Sequence, residues 1–339
     1  MTIAVVKQKP KPRESVILNR IREGSRSASG KTRNASLRLA IGDDAALWQP
    51  RAGYETILTC DWFLEGSHFL ADRHPPESVG WKCLARAVSD IAAMGGEPRC
   101  FLLSLALPPA KTGYWLRKFL KGLRIASRKL RCPIAGGDTT RRTDILINIT
   151  IVGECRRGRA ILRSGTRPGD AIFVTGSLGE AQRGLQLLQK GRKSLDLHDS
   201  RLHKHFYPEP RLAVGAWLAR RQFATAMIDL SDGLSSDLPR LCRASGTGAR
   251  VEEAKLPHVA IRDGTFQIES SATQLALHGG DDYELLFTVA KRNIRRIPAR
   301  IGNIPITRIG EITSGKRILL VCEDDSVEEL KNYGWDPFR

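Results

Sequence analysis

The chain has 339 residues, of which 41% are apolar, 6% aromatic and 27% charged, and its formal net charge at pH 7 is +18. That length accommodates two domains of ordinary size, and the composition is that of a folded chain with an aliphatic core, which excludes fibrous and low-complexity classes. No segment approaches the roughly 18 consecutive apolar residues that a bilayer span requires, and Met1–Ser15 is basic with no apolar stretch behind it, so neither a membrane partner nor a secretory signal is expected.

In chain order, residues 1–13 read as a tail, Ser15–Ile21 as a short helix and Gly24–Ser36 as a polar loop. Residues 1–36 therefore form a basic N-terminal segment. Strand-forming segments follow at Leu37–Ile41, Thr56–Thr59 and Phe101–Leu107. Between the last two, Ser78–Met94 has helical spacing, with Val79, Cys83, Leu84, Ala87, Val88 and Ile91 on one stripe, stopped by Gly95-Gly96. Tyr114–Lys129 is a second helix, and Ile134–Ala135 and Ile145–Val152 are strands around a Gly-Gly-Asp turn.

The texture changes at Arg156–Asp170, which sets the boundary between a domain at 37–157 and another at 158–339. The second alternates a strand at Ala171–Thr175, helices at Leu178–Leu188 and Arg211–Ala219, a strand at Ala226–Asp229, a helix at Leu234–Ala244 and a strand at Leu285–Val289. Gly310-Glu311-Ile312 and Ile318–Val321 close it. Both halves mix strands and helices, so the class is α/β or α+β.

Seven cysteines, an odd number with no Cys-x-x-Cys, fit free thiols in a reducing cytoplasm better than disulfides or structural zinc. The positive charge attracts anions, either nucleotide phosphates or nucleic acid. Residues 1–40 hold ten Lys or Arg against Glu14 and Glu23, but no interleaved aromatics for base stacking, so nucleic acid is not the expected partner. Ser29-Gly30-Lys31-Thr32 looks like the end of a P-loop. The loop needs four residues between its first glycine and Gly30, and Gly24 is separated by five, after a polar segment rather than a buried strand.

The informative residues are carboxylates at the ends of apolar segments, beside glycine. Asp43-Asp44 follow Ala40-Ile41-Gly42, Asp61 follows Ile57–Cys60, Asp90 lies in the first strong helix, and Asp138 follows Gly136-Gly137. Asp229 and Asp232 flank Leu230-Ser231, and Asp281-Asp282 follow Gly279-Gly280. Clustered carboxylates repel, and burial raises their cost; protonation is one relief, and a divalent cation with a preference for oxygen, such as magnesium, is another. Any one aspartate could be a helix cap or a turn residue. The runs Gly-Gly-Asp and Asp-Leu-Ser-Asp-Gly behind strand segments point instead to metal-dependent phosphate chemistry.

These blocks resemble the thiamine-monophosphate kinase family, in the superfamily shared with aminoimidazole ribonucleotide synthetase and selenophosphate synthetase. The matching stretches include Ile41-Gly42-Asp43-Asp44-Ala45-Ala46, Glu65-Gly66-Ser67-His68-Phe69, Ser89-Asp90-Ile91-Ala92-Ala93-Met94-Gly95-Gly96, and Gly136-Gly137-Asp138-Thr139-Thr140. Arg163-Ser164-Gly165, Asp229-Leu230-Ser231-Asp232-Gly233, Gly279-Gly280-Asp281-Asp282-Tyr283-Glu284 and Gly334-Trp335-Asp336-Pro337-Phe338 continue it from about residue 15 to the end. The resemblance implies a two-domain synthetase-type fold whose N-terminal domains form an intersubunit β-barrel in a homodimer. It implies several magnesium ions at Asp43, Thr59, Cys60, Asp61, Asp90, Asp138, Asp229 and Asp232. It also implies ATP contacts from Gly137, Asp138, Arg163 and Ser231, and contacts to thiamine monophosphate from His68, Asp281 and a terminal aromatic, Trp335 or Phe338.

Three positions depart from the family pattern. Cys60 replaces a hydroxyl, and a thiol is a poor magnesium ligand, so only its carbonyl could serve. Asp281 replaces a Glu, and Trp62 stands where a small residue is commoner. The implied reaction is ATP plus thiamine monophosphate giving ADP and thiamine diphosphate. Its nucleophile is a phosphate oxygen with a second pKa of about 6, so no single catalytic base is expected. What the reaction needs is alignment and cancellation of anionic repulsion. Two rival expectations remain: another ATP-dependent synthetase of the superfamily, and a basic nucleic-acid binder.

Overall fold

The computed structural model describes residues 16–21, 36–41, 45–190, 196–258 and 271–338. Strand alternation decides the first half. In Tyr54–Leu64 (β3), Ile57 and Phe63 are buried whereas Leu58 and Trp62 are 70% and 55% exposed. Two short strands precede it, Leu37–Leu39 (β1) and Leu47–Trp48 (β2), paired with each other. Glu97–Leu107 (β4), Ile134–Arg141 (β5) and Leu146–Arg156 (β6) complete a sheet of order β3-β6-β4-β5. Phe101, Leu103 and Leu105 of β4 and Ile147, Ile149 and Ile151 of β6 face the buried side, as period-2 alternation requires.

That side is covered by Pro76–Ala93 (α1) and Tyr114–Lys129 (α2). Pro76 suits the first helical turn, where its missing N–H costs nothing. The two helices touch backbone to backbone. A Cβ on Gly80 would stand 2.1 Å from the Phe119 carbonyl oxygen, and one on Gly122 would stand 1.9 Å from that of Glu77. Only glycine permits so close a crossing.

The second half is a sheet of order β14-β13-β9-β12-β7-β10-β8 with β11 beside β12. Its strands are Ala171–Thr175 (β7), Ala224–Leu230 (β8), Gly248–Glu252 (β9), Glu284–Val289 (β10), Arg300–Ile301 (β11), Ile304–Thr313 (β12), Ile318–Val321 (β13) and Val327–Glu329 (β14). Every residue of β7 and β10 is buried, because both faces are covered. Ile172, Val174, Ile228 and Leu286 pack on one side with Leu234, Leu238 and Leu241 of a helix at Leu234–Ser245. Ala171, Phe173, Met227, Leu285 and Phe287 pack on the other with Val214 and Leu218 of a helix at Leu212–Arg221, and with Ala92 and Ala93 from the end of α1. Helix α1 thus belongs to both cores, and the groups it carries stand between the two sheets. Three further helices lie at Glu180–Lys190 (α3), His203–Phe206 (α4) and Ala272–His278; those at Leu212–Arg221 and Leu234–Ser245 are α5 and α6, and the last is α7.

The mixed α/β class stands, and residues 16–21 are helical as the sequence suggested. Boundaries differ where polar residues sit in strands. β4 starts at Glu97 rather than Phe101, since Pro98 lies ahead of the first pairing with β5 and its missing N–H leaves no ladder bond unmade on that side. β9 and most of β12 were not read, because Gly, Arg and Pro interrupt their apolar pattern.

Candidate functional site

Register and burial place the acidic residues. Asp61 shares a row with Ile149 and Leu103, which face the helices, so its carboxylate points toward α1. Thr59 is two residues back on the same side, and its hydroxyl donates to Asp90 of α1. From the other half, Asp229 of β8 is paired with Leu285 and lies two residues from Met227, both on the face that packs against α1. Asp61, Asp90 and Asp229 therefore converge. Burial, then the Asp61 charge, pushes the Asp90 carboxyl above its usual range, and Arg163 and Arg86 oppose that. Burial, then Asp90, raises Asp229 well above its usual range. Three mutually repelling carboxylates held by two separate cores offer the all-oxygen donors that a hard cation takes. Among the described residues no three such groups already stand as a finished coordination shell; Asp43 lies outside the described residues.

Beside this cluster lies a cavity of about 310 Å³, bordered by His68, Arg86, Ser231, Asp232, Asp281 and Trp335, with Tyr283, Tyr333 and residues of α3. Its walls are three loops joined by backbone hydrogen bonds. Asp281 N–H donates to Ser231 O at 2.8 Å, Tyr283 N–H to Leu230 O at 2.9 Å, and Trp335 N–H to Asp232 O at 3.0 Å. Asp237 of α6 holds the first loop by accepting from the N–H groups of Ser231 and Asp232 at 3.1 and 3.0 Å. Burial pushes the Asp237 carboxyl up to about 7. Asp281 and Tyr283 both have positive φ, 66° and 51°, a backbone strain that the surrounding bonds maintain.

Asp281 is not a free carboxylate. The fully buried Lys82 Nζ donates to it at 2.8 Å and the Tyr283 hydroxyl donates at 2.8 Å. Burial alone would raise the Asp281 carboxyl, but Lys82 and its neighbours hold it well below the usual range. Lys82 also meets His205 Nδ1 at 3.3 Å, and His205 Nε2 stands 3.0 Å from His74 Nε2. Burial lowers the His74 imidazole to about 4, so at neutral pH that ring is uncharged. His68 accepts from Leu64 N–H through Nδ1 at 3.1 Å, and burial lowers it to about 4 as well. Its ring centroid is 5.3 Å from that of Trp335.

Of the residues singled out in the sequence, the structure gathers Thr59, Asp61, Asp90 and Asp229 in the cluster, with Arg163 in electrostatic reach of Asp90. It sets His68, Ser231, Asp232, Asp281 and Trp335 around the cavity. The remaining ones among the described residues lie elsewhere. Asp138 is exposed, in register with Ser104 on the open side of the first sheet, and accepts from Thr139 N–H at 2.8 Å. Gly137 beside it has φ +148°, and a Cβ there would stand 1.9 Å from the Leu103 carbonyl oxygen, so this backbone requires glycine. Cys60 is also turned to the open side, its sulfur 3.1 Å from Asn148 Nδ2, so its thiol does not join Asp61. Phe338 is 96% exposed and does not border the cavity; Trp335 does.

Lys82 and Arg86 were missed. Their signal was a four-residue spacing with Asp90, which puts three charged residues on one stripe of an otherwise buried helix. Asp282 and Glu284, within the matching blocks, are structural. Asp282 accepts from Gly179 N–H at 2.6 Å and Ala181 N–H at 3.2 Å, and Glu284 accepts from Thr175, Lys204 and Arg211.

Residues 42–155 match the AIR synthase related protein N-terminal domain and residues 167–332 its C-terminal domain. A thiamine-monophosphate kinase of Bacillus subtilis is 35% identical over 88% of the chain and 94% of the relative. The crystal structure of thiamine-monophosphate kinase from Stenotrophomonas maltophilia superposes with a TM-score of 0.79 at 35% identity, over 91% of this chain and 96% of that one. AaThiL complexed with AMPPCP and TMP superposes with a TM-score of 0.74 at 29% identity, over 98% of this chain and all of that one.

Proposed function

The chain belongs to the thiamine-monophosphate kinase family, built from the two AIR synthase related domains, and from that premise we propose that it phosphorylates thiamine monophosphate with ATP, releasing ADP and thiamine diphosphate. The observation that carries this reading is the juxtaposition of the Asp61–Asp90–Asp229 cluster with a cavity bordered by His68, Asp281 and Trp335. One feature is suited to phosphates with bound cations, the other to a flat cationic ring. The relative bound to AMPPCP and TMP supports a site that receives nucleotide and acceptor together.

In the proposed reaction an acceptor phosphate oxygen attacks the γ-phosphorus, and the bond from that phosphorus to the β-bridging oxygen breaks. The acceptor is already largely ionised at neutral pH, so no base has to remove a proton. Asp61, Asp90 and Asp229, with Asp43, are the residues that would hold magnesium, which when bound offsets the charge of the two anions. The chain's own side chains align the partners. Arg163, within reach of Asp90, faces nucleotide phosphate; Ser231 and Asp232 form the floor shared by cluster and cavity. Trp335 packs its face on the thiazolium ring. Lys82 keeps Asp281 ionised and fixed, so the acidic wall of the cavity is a held dipole rather than a mobile charge.

Gly137 and Asp138 lie on the open side of the first sheet, with the exposed Leu58, Trp62 and Leu102. Exposed apolar side chains on a sheet face suit burial against a second copy, and in the proposed homodimer this face closes a shared barrel whose groove takes the nucleotide. Residues 37–157 form the dimerising domain and 158–339 the second domain. The free thiols fit a cytoplasmic enzyme. Incubation of the purified protein with ATP, magnesium and thiamine monophosphate tests the assignment. Mass detection of thiamine diphosphate with equimolar ADP is the expected result. ADP with orthophosphate and no thiamine diphosphate would reject the kinase reading in favour of another ATP-dependent enzyme of the superfamily.

A further inference from the structure

Arg86 is the one strongly cationic side chain of the cavity that has no hydrogen-bonded partner among the described residues. Its Nε is buried and makes no hydrogen bond. The nearest carboxylate oxygen, Asp61 Oδ2, is 3.7 Å from that nitrogen, too far for a hydrogen bond. The other carboxylates nearby are already matched: Asp281 by Lys82 and Tyr283, and Asp232 by Arg240. The guanidinium carbon is 5.5 Å from the Phe63 ring centroid, a cation–π contact that uses none of its donors. An Nε donor buried without a partner is costly unless a ligand takes it, and the 13% of the side chain that stays exposed leaves the fork reachable from the cavity.

Position says which ligand. Arg86 lies one helical turn before Asp90 on α1, between the carboxylate cluster and the cavity that holds His68, Asp281 and Trp335. A molecule whose ring sits against Trp335 and whose anionic end reaches toward the cluster must pass this side chain. We propose that Arg86 is a phosphate-monoester subsite for the acceptor, orienting the attacking oxygen by a forked pair of hydrogen bonds. This rests on the kinase reading above. Arg86 positions the nucleophile and does not exchange protons with it.

The test is calorimetric titration of the full-length protein with thiamine monophosphate and with thiamine, in EDTA so that no cation contributes. Wild-type protein binds the phosphorylated ligand more tightly. In Arg86→Gln that margin shrinks roughly ten- to a hundredfold, the loss of charge-assisted hydrogen bonds, while thiamine affinity stays within about threefold. Arg86→Lys keeps the charge without the fork and recovers part of the margin, and it makes the same comparison should the Gln variant fail to fold. An equal loss for both ligands would mean a structural role, and an unchanged margin would mean that the phosphate lies elsewhere; either overturns the assignment. Wild-type protein that bound neither ligand would instead overturn the acceptor reading of the cavity, and this assignment with it.

Discussion

Asp282 offers a stability test whose sign changes with the solution. Its carboxylate caps α3 through Gly179 and Ala181, and α3 contributes Gln182, Leu185 and Gln189 to the cavity wall. Burial pushes the Asp282 carboxyl up from 3.8 to about 7, against Lys204 and the two amides that pull it down. A carboxyl whose pKa is higher folded than unfolded stabilises the fold only while protonated. That contribution is complete below about pH 4, declines as pH rises, and is gone above about pH 7. Each pKa unit corresponds to about 1.4 kcal/mol, so the rise from pH 5 to pH 8, which carries the group through its folded pKa of about 7, removes about 3 kcal/mol from the wild type. Asp282→Asn cannot titrate. It keeps an oxygen for Gly179 but turns an NH₂ toward Ala181, a constant cost of about 1–2 kcal/mol. Thermal melts at pH 5 and pH 8 should therefore show the variant gaining on the wild type by about 5 °C between the two conditions. The same offset at both pH values would refute the argument, because it would mean that Asp282 is ionised throughout and that the cap carries no burial cost.

Asp229→Asn should reduce turnover at least about a hundredfold, yet the melting midpoint in EDTA should not fall, because the substitution removes a buried charge that Asp90 repels; a large drop in that midpoint would contradict the electrostatics described above. Gly137→Ala should cost about 3 kcal/mol or more in urea unfolding, whereas Gly136→Ala, whose Cβ meets only the far end of the Leu102 side chain at 3.2 Å, should cost far less. Trp335→Ala should raise the KM for thiamine monophosphate about tenfold, the scale of a desolvated cation–π contact, and Phe338→Ala should leave it within about twofold. The reverse ranking would assign the ring to the other aromatic.

The aspartates could be read in the sequence because strand ends and neighbouring glycines leave local traces, and Asp61, Asp90 and Asp229 do meet. Which face each one takes could not be read without the sheet register, and so Asp138 stood beside Asp61 in the expected metal set although its side chain is on the open face of the sheet. Lys82 and Arg86 resembled the solvated charges of any amphipathic helix, because only tertiary packing shows that α1 is buried on both flanks. Asp282 read as half of an acidic pair. The amides it caps are more than 100 residues away in sequence, and no local pattern announces them. The strands at Gly248–Glu252 and Ile304–Thr313 lacked the apolar run that would have marked them, since their pairing partners supply the burial.

The claim on which the rest depends is that carboxylates from two separate cores share bound cations. Anomalous diffraction from crystals grown with manganese and a non-hydrolysable ATP analogue tests it directly. The account predicts manganese peaks at coordination distance, about 2 Å, from carboxylate oxygens of Asp61, Asp90 and Asp229. Manganese bound only elsewhere, in protein that turns over thiamine monophosphate with manganese and ATP, would contradict it.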